Sequence, residues 1–534
     1  MKIHYAIILL LISSVMFSQE DAWVYFNSKP NSQTYLNSPL LILSQRAIDR
    51  RTNQNIALNF TDAPLEITYV NQIKASTGIT VMAKSKWLNA LHIRGTQANI
   101  SALTALAFVN KVVFANKSLN LTGKTVSQNK VSETKNKLEA AVNYNYGTSA
   151  NQIQMLNGHV LHQQNYTGSG KIIAVMDTGF PGVNTAQPFQ KLRDNNQILG
   201  GYDYVSRNAN FYAGGSHGTS VLSTMGGYKE NALVGTAPDA SYYLFRTEID
   251  ANENPVEESL WVEAAEKADS LGVDIINTSL GYFGQRDNSN YNYTYSDMNG
   301  STTFISRGAE IAFSKGIIVV ASAGNEGDAT EKHIGAPADA VSVIAVGAVT
   351  ASKVRSSFSS IGPSYDGRIK PDVMAQGSAA VISDVSGNIV TSNGTSFSGP
   401  IMAGMIACLW QAYPEKTNQQ IRNMVIQSAD KYLTPDNNYG YGIPNFGTAL
   451  AVDSFVNHDF VVYPNPAQTN ITFSFSNEIN NASVIIYSIL GQKVLDKKIT
   501  GQNPNLSVES LKSGTYFYTL KGDGLHKTGK IIKQ

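Results

Sequence analysis

Three short segments, far apart in the chain, each carry a residue that could take part in nucleophilic catalysis. Asp177 directly follows an apolar run, His217 begins a second patterned stretch, and Ser396 precedes a long apolar helix. A hydroxyl nucleophile, an imidazole base and a carboxylate that orients the base are the minimum set for acyl transfer through a serine ester. All three lie where a predicted strand or helix begins or ends, so a folded scaffold could direct them into one cleft.

Two further residues could support a reaction at the Ser396 hydroxyl. A serine at the start of a helix lies beside free backbone N–H groups, and the helix dipole there favours an anion. Pro400 fits the first turn of the helix predicted after Ser396. Asn325, which follows another apolar run, could donate a side-chain N–H to the same oxyanion, a contribution of about 3–4 kcal/mol in sites of this class.

Nearly continuous apolar runs in the middle of the chain predict the strands that would position these residues. Such runs are typical of a parallel sheet that helices cover on both faces. The predicted strands are residues 172–176, 242–245, 273–277, 317–321 and 341–346. Because ligands bind at the carboxyl ends of parallel strands, Asp177, Asn325 and the segment 279–281 are expected at one edge of the sheet.

Two amphipathic helices alternate with these strands. Residues 258–271 and 304–315 place apolar side chains at helical spacing, and they stop at Gly272 and Gly316, which suit left-handed helix caps. This alternation of strands and helices predicts an α/β domain of three layers with a mainly parallel sheet, over residues 146–455.

The flanking residues predict further segments. Residues 1–18 resemble a signal peptide, because Lys2 precedes an apolar run too short to span a membrane. Residues 19–120 predict a small α+β unit, and residues 121–145 are polar and predict an exposed linker. Residues 459–534 show short alternating strands with regular turns, which predict a small β-sandwich.

Within the α+β unit, the pattern predicts three strands and one helix. Residues 65–70, 87–93 and 112–115 read as strands, whereas residues 98–106 show apolar side chains at helical spacing.

The composition of the 534 residues indicates globular domains, and their charge gives no sign of a nucleic acid or membrane partner. The apolar fraction is 42% and the charged fraction 15%, as in folded domains. A net charge of +1 gives no indication of nucleic acid or of an anionic membrane surface as a partner. No apolar run after the N-terminal one reaches transmembrane length. The single cysteine, Cys408, lies among apolar residues, which favours buried packing over catalysis.

The motifs around these residues resemble those of a known family, the subtilisin-like serine proteases or subtilases. Asp177-Thr178-Gly179, His217-Gly218-Thr219 and the segment 394–400 resemble the three catalytic blocks of that family, in its chain order of Asp, His and Ser. Residues 323–327 resemble its oxyanion-hole block, and residues 278–281 its substrate-aligning strand. The resemblance covers about residues 146–451.

This resemblance implies roles for individual residues. Asp177, His217 and Ser396 would be the catalytic triad of a serine endopeptidase, and Asn325 would lie in the oxyanion hole. The residues implied to bind substrate are Ser279, Leu280, Gly281, Ala321, Ser322 and Gly324. Their small side chains suggest a first pocket with room for a large apolar side chain. The chemistry implied requires no cofactor.

The flanking regions show resemblances of their own. Residues 20–119 resemble the propeptide that helps subtilases fold and then blocks their active site. The motifs Tyr463-Pro464-Asn465-Pro466 and Leu490-Gly491-Gln492 resemble the C-terminal sorting domain of proteins exported by the type IX secretion system of Bacteroidetes. These resemblances imply a zymogen that is secreted to the outside or the surface of the cell. Its partners would be protein or peptide substrates, its own propeptide and the type IX machinery.

Three alternatives stay open at this point. A catalytically silent surface adhesin on a subtilase scaffold would carry the same motifs. His159 and His162 have a spacing that suits a metal, although a surface helix is the simpler interpretation. Asp287, Asp297 and the Asn- and Tyr-rich segment 288–295 could hold a structural calcium ion, although an ordinary inserted loop explains them as well.

Overall fold

The computed structural model of the chain divides into two compact units, residues 1–450 and 451–534. The predicted signal peptide lies outside the described residues, and so does most of the predicted linker. The described residues are 19–120, 143–284, 286–452, 460–463, 467–475, 482–500, 505–522 and 525–534.

The N-terminal region, residues 19–120, is an α+β fold with a four-stranded antiparallel sheet in the order β2-β3-β1-β4. Its elements are β1 Gln19–Phe26, α1 Ser32–Asn37, α2 Gln45–Asn53, α3 Ile67–Lys74, β2 Ile79–Ser85, β3 Ala90–Thr96, α4 Gln97–Ala102 and β4 Val109–Phe114. Successive side chains of a strand point to opposite faces. Val24 and Phe26 therefore pack in the region's own core, whereas Trp23 and Tyr25 pack in a core shared with the following domain.

One predicted strand of this region is wrong. Residues 65–70 were expected to be extended, but α3 begins at Ile67 within them. The Glu66 carboxylate caps the helix by accepting a hydrogen bond from the Thr68 backbone N–H. Tyr69 and Ile73 are four residues apart and pack in the same core, so the helical spacing outweighs the short apolar alternation.

The central region, residues 143–452, has the predicted α/β architecture. Its elements are α5 Ala150–Gln154, α6 His159–Gln163, β5 Ile172–Asp177, α7 Gln190–Asp194, β6 Ile198–Asp203, α8 His217–Gly226, β7 Tyr228–Lys229, β8 Leu233–Val234, β9 Ser241–Arg246, α9 Val256–Leu271, β10 Ile275–Thr278, α10 Phe304–Ser314, β11 Ile318–Ser322, β12 Ile344–Val349, β13 Val373–Gln376, β14 Ala380–Ser383, β15 Ile389–Ser392, α11 Thr395–Ala412, α12 Asn418–Gln427 and α13 Phe446–Val452.

Seven strands form one sheet in the order β13-β12-β11-β10-β5-β9-β6, and every neighbouring pair is parallel. Ile173 and Val175 of β5 pack in the core that contains α8, α11 and α12. Ala174 and Met176 pack in the core on the other face, with α9 and α10. The predicted three-layer α/β architecture is therefore confirmed.

The sequence pattern missed the two outer strands and placed the start of one inner strand three residues too early. β6 contains two glycines, which weaken its apolar signal, and β13 follows directly after Pro371 and Asp372. The strand expected at 341–346 begins only at Ile344.

Helices α9 and α10 form the face against which the N-terminal sheet packs. The Trp23 indole N–H donates to the Ser259 hydroxyl oxygen at 2.8 Å. The Glu266 carboxylate accepts from the Ser85 hydroxyl at 2.7 Å and from the backbone N–H groups of the next two residues at 3.0 and 2.9 Å. Burial raises the pKa of Glu266 to about 7. These buried polar contacts fix the position of the N-terminal sheet on helices α9 and α10.

The loop that follows β10 also contacts the N-terminal region. Asp297 forms an ion pair with Lys117 and accepts a hydrogen bond from the Thr294 backbone N–H. The Tyr291 hydroxyl donates to Glu20 at 3.1 Å. Within the described part of the chain, no three His, Cys, Asp or Glu side chains cluster in a way that could hold a metal ion. The sequence left Asp297 open as a calcium ligand, and in the structure this residue pairs with Lys117.

The C-terminal unit contains two antiparallel sheets, β16-β17-β20 and β19-β18-β21-β22. Its strands are β16 Phe460–Tyr463, β17 Asn470–Phe475, β18 Ala482–Ser488, β19 Lys493–Ile499, β20 Asn505–Ser507, β21 Gly514–Gly522 and β22 Leu525–Lys533. Phe473 of one sheet and Val484, Leu520 and Ile531 of the other share a core, as expected for a small β-sandwich. In the described segments of the whole chain, no helix is long and apolar enough to cross a membrane.

Candidate active site

Three neighbouring strands end at the edge of the sheet where the candidate site lies. Asp177 is the last residue of β5, Ser279 directly follows β10, and Ser322 is the last residue of β11. These strands are adjacent in the order β11-β10-β5 and run parallel. The structure thus places the predicted site residues at one carboxyl edge, where open α/β sheets bind their ligands.

Asp177 and His217 form a short hydrogen bond. The His217 Nδ1 lies 2.8 Å from Asp177 Oδ1, and the Asp177 side chain is 1% exposed. The Thr178 backbone N–H donates to the same oxygen at 2.8 Å. Because an ionised carboxylate only accepts, Nδ1 carries the proton in neutral His217, and Nε2 keeps the lone pair that a general base needs.

The environment of His217 perturbs its pKa in two directions. Burial disfavours the charged imidazolium, but the charge and hydrogen bond of Asp177 outweigh burial and raise the pKa of His217 above its ordinary value. The Asp250 carboxylate adds to this rise. A Cβ built on Gly215 would lie 2.2 Å from Asp250 Oδ1, so this carboxylate lies directly beside the loop that leads to His217.

Ser396 lies inside the first turn of α11, not before the helix as the sequence suggested. α11 begins at Thr395, which makes Pro400 its sixth residue instead of a first-turn residue. Proline has no N–H, so Pro400 cannot donate to the carbonyl of Ser396 four residues earlier. The Ser279 hydroxyl donates to that carbonyl instead, at 2.9 Å. The interior proline therefore leaves a backbone acceptor that ties the helix start to the strand end at Ser279.

The Ser396 hydroxyl also points to the same segment. It donates to the Ser279 carbonyl oxygen at 3.3 Å, and among the described residues no hydrogen bond joins it to His217. The His217 ring lies 6.0 Å, centroid to centroid, from the ring of Phe397, which follows Ser396. The nucleophile and base candidates are therefore neighbours, and catalytic hydrogen bonds are often long in free enzymes and tighten when substrate binds.

Asn325 is oriented by the residue that precedes the candidate nucleophile. Its Oδ1 accepts from the Thr395 backbone N–H at 2.9 Å and from the Thr395 hydroxyl at 3.0 Å. The Thr395 hydroxyl oxygen accepts in turn from the Gly324 N–H at 3.2 Å. Since a backbone N–H can only donate, the contacted atom must be the amide oxygen, and within the described residues neither N–H of the exposed Asn325 amide donates to another group. The sequence pattern gave no indication of this role for Thr395.

The residues predicted to bind substrate lie side by side at this edge. Ser279, Leu280 and Gly281 follow β10, whereas Ala321, Ser322 and Gly324 lie at the end of β11 or just after it. The strands pair in register, with Thr278 opposite Ala321. The Ser322 hydroxyl donates to the Thr395 carbonyl at 3.0 Å, so this residue also anchors the start of α11.

Two buried carboxyl groups lie behind the segment 279–281, and sequence reasoning did not find them. Tyr282 donates its hydroxyl to both oxygens of Glu248, at 2.7 and 2.8 Å. Burial and the neighbouring Glu257 raise the pKa of Glu248 well above its ordinary value, and burial raises the pKa of Glu257 to about 8. Both shifts favour the protonated forms, which lowers the cost of burying two acids together.

The structure overturns the surface interpretation of His162. The side chain is fully buried, with Nδ1 2.9 Å from the Tyr146 hydroxyl and Nε2 3.0 Å from the Thr236 carbonyl. Burial lowers the pKa of His162 to about 4, so it stays neutral. Cys408 is buried beside it, donates to the same Thr236 carbonyl at 3.1 Å, and has a pKa raised by burial.

Comparison with known protein families matches three parts of the chain. Residues 168–442 match the subtilase family, peptidase S8. Residues 21–135 match the peptidase S8 propeptide domain of Bacteroidota. Residues 461–534 match a secretion system C-terminal sorting domain, which indicates export to the outside or the surface of the cell.

Individual relatives match over more than half of the chain. The chain is 34% identical to Subtilisin NAT of Bacillus subtilis subsp. natto over 300 residues, which are 56% of this chain and 70% of that protein. It is 33% identical to Subtilisin of Bacillus pumilus over 300 residues, or 97% of that protein. It is 30% identical to the Thermostable alkaline protease of Halalkalibacterium halodurans over 299 residues, or 72% of that protein.

The family match spans the sheet, both core helix layers and the strand ends at which the candidate residues meet. The flanking matches add a propeptide domain and a sorting domain to it. The chain therefore belongs to the subtilase family, as a serine endopeptidase with an N-terminal propeptide domain and a C-terminal sorting domain for export.

Proposed function

We propose that the protein is a secreted serine endopeptidase, made as a zymogen, in which Asp177, His217 and Ser396 are the catalytic triad. The observation that carries this proposal is the 2.8 Å hydrogen bond between His217 Nδ1 and Asp177 Oδ1, next to a serine in the first turn of α11. A neutral hydroxyl needs an oriented base before it attacks a carbonyl, and this pair supplies one.

In the proposed reaction, the Ser396 Oγ attacks the scissile carbonyl while His217 Nε2 takes the hydroxyl proton. Asp177 stabilises the imidazolium that forms. The Ser396 backbone N–H and the Asn325 side-chain N–H donate to the oxyanion, which lies at the N-terminus of an 18-residue helix. His217 then protonates the leaving amine, and water, activated by the same base, releases the acyl-enzyme.

We further propose an order of segments in the precursor. It comprises a signal peptide at 1–18, a propeptide at 19–120, a linker at 121–145, the peptidase domain at 146–455 and the sorting domain at 459–534. Burial of hydrophobic and ionic groups between the N-terminal and central regions supports an inhibitor that folds with the enzyme. Protein or peptide chains would be the substrates, and the machinery that reads the sorting domain would be a second partner.

Ser279, Leu280 and Gly281 on one side, with Ala321, Ser322 and Gly324 on the other, would line the first substrate pocket. The small side chains on both strand ends support a large apolar residue before the scissile bond. Turnover of a peptide series that differs only at this residue tests the assignment. Preference for a charged or a small residue there would contradict it.

A fluorophosphonate probe tests the catalytic proposal. It should label the mature protein at Ser396, because the oriented base makes this hydroxyl a nucleophile. Ser396→Ala should abolish labelling, whereas Ser386→Ala, which removes an exposed serine of the same region, should leave it intact. Failure of the mature protein to be labelled would favour the catalytically silent adhesin.

A further inference from the structure

One segment of the N-terminal region contacts the central region far from the candidate active site. This segment, residues 44–62, contains α2 and is called the arm here. The Ser44 N–H donates to the Ser270 carbonyl at 2.8 Å, and Arg46 donates to the carbonyls of Gly272 and Gly170 at 2.9 and 3.0 Å. Every one of these acceptors lies just before a strand of the sheet begins or where a helix ends.

Two contacts of Arg50 lie at the same edge. Arg50 donates to the carbonyl of Val273, which precedes β10, and to that of Lys315, which precedes β11. Since the strands are parallel, this is the amino edge, opposite the carboxyl edge that carries Asp177 and Ser279. From Ile172 to Asp177 the chain rises five residues, or about 17 Å. The arm and the candidate active site therefore lie at opposite ends of the sheet.

Buried ion pairs join the arm and the central region. The arm contributes the cation to one of them and the anion to another. Arg51 of the arm pairs with Asp269 of α9 at 2.7 Å, and Asp62 of the arm pairs with Lys315 at 3.0 Å. Arg51 also pairs with Asp62 at 2.9 Å, which links the two bridges. The four side chains are at most 2% exposed. Removing one side would leave the other with uncompensated charges, which is strongly unfavourable.

The backbone at two glycines near the helix ends lies directly against the arm. Gly272 ends α9 with a φ of 82°, and a Cβ there would lie 2.9 Å from the Ala47 backbone nitrogen. Gly316 follows α10 with a φ of 86°, and a Cβ there would lie 2.8 Å from the Gln54 amide nitrogen. Gln54 donates to the Gly316 carbonyl and accepts from the Asn418 N–H, both at 2.9 Å. The amino edge thus fits the arm in shape as well as in charge.

We propose that this edge is a second docking site for the N-terminal region, so that after cleavage the region stays bound without depending on the catalytic cleft. The proposal builds on the proposed cleavage between the two regions. The surface recognises a helix that carries adjacent arginines and a following aspartate, here provided by Arg50, Arg51 and Asp62.

The test uses the full chain with Ser396→Ala, so that its outcome does not depend on catalysis. Residues 128–133 are replaced by the recognition sequence of a sequence-specific protease, the chain is cut there, and the dissociation constant of the two parts is measured. The Arg50→Gln/Arg51→Gln variant should raise this constant at least about 100-fold, because it leaves Asp269 buried without a cationic partner. Lys74→Gln/Lys84→Gln removes the same charge from exposed sites and should change it less than about 2-fold.

Two further variants separate the arm from general folding and from the other contact surface. Gln54→Ala removes two hydrogen bonds and should raise the constant about 5- to 150-fold with an unchanged circular dichroism spectrum. Lys117→Ala weakens the contact with the loop after β10. If the sites are separate, its effect should multiply with that of the arm variant. Arm variants that bind as tightly as the lysine control, or a double variant no weaker than either single one, would overturn the proposal.

Discussion

Replacing Thr395 by valine should slow the chemical step without weakening substrate binding. Thr395 holds the Asn325 amide oxygen through two hydrogen bonds, one from its backbone and one from its hydroxyl. Valine keeps the shape of the fully buried side chain but removes the hydroxyl. Asn325 would then be held by the backbone N–H alone and would donate less often to the oxyanion.

The size of the effect follows from two limits. Removing an oxyanion-hole donor altogether lowers kcat about 100- to 1,000-fold, a range that mutagenesis of subtilisin established. Of the two hydrogen bonds of the Thr395 hydroxyl, only the one to Asn325 orients the donor. Losing that bond, at about 0.5–1.5 kcal/mol net, corresponds to about a 2- to 13-fold loss in rate. We therefore expect Thr395→Val to lower kcat by about 2- to 13-fold. KM should stay unchanged, because the oxyanion exists only in the transition state and intermediate.

The assay is steady-state hydrolysis of a fluorogenic peptide, with enzyme concentration fixed by active-site titration. The exposed Thr391→Val serves as the matched control and should leave kcat unchanged. In an Asn325→Ala background, Thr395→Val should cost less than about 2-fold, because its partner is already absent. An equal loss in both backgrounds would refute the reasoning and would assign the effect to a displaced Ser396.

The other predictions concern the base, the contact between the two regions and the helix start. His217 must be neutral to accept a proton, and its pKa is raised, so the acid limb of the kcat/KM profile should lie above that of an ordinary histidine. Asp250→Asn should move this limb to lower pH; an unmoved limb would show that the carboxylate does not act on the base. Glu266→Gln should weaken binding of the cut N-terminal region about 5- to 150-fold in calorimetry, because an amide cannot accept all three hydrogen bonds. Ser279→Ala leaves the Ser396 carbonyl without its donor and should lower the free energy of unfolding in urea by about 1–3 kcal/mol; an unchanged midpoint would mean that water replaces the hydroxyl.

The sheet and the position of the candidate site could be predicted from the sequence because both depend on local patterns. Buried parallel strands appear as apolar runs, and Asp177 lies one residue beyond such a run. Gly272 could be identified as a cap since only glycine readily adopts its positive φ. The hydrogen bond between Asp177 and His217 depends on how the folded chain packs. The motifs suggest this contact but do not determine it.

The features that could not be predicted depend on contacts between distant parts of the chain. Arg51 and Asp269 are 218 residues apart, and no local pattern connects them. Pro400 was expected in the first turn of a helix, yet it lies inside α11, since Ser279 supplies the hydrogen bond that the missing N–H would have made. Likewise, the strand predicted at 65–70 is wrong, because the side chains that α3 buries pack in a core that forms only when the sheet is in place.

The buried thiol of Cys408 gives the protein an internal reporter of unfolding. It is the single cysteine of the sequence, it is fully buried, and its raised pKa suppresses the reactive thiolate. Cys408 lies on the same helix as Ser396, about three turns further along. The rate at which a thiol reagent modifies the protein therefore measures how often α11 opens. In one unlabelled sample, a loss of activity caused by local opening of α11 can then be distinguished from a loss caused by a change in the catalytic groups.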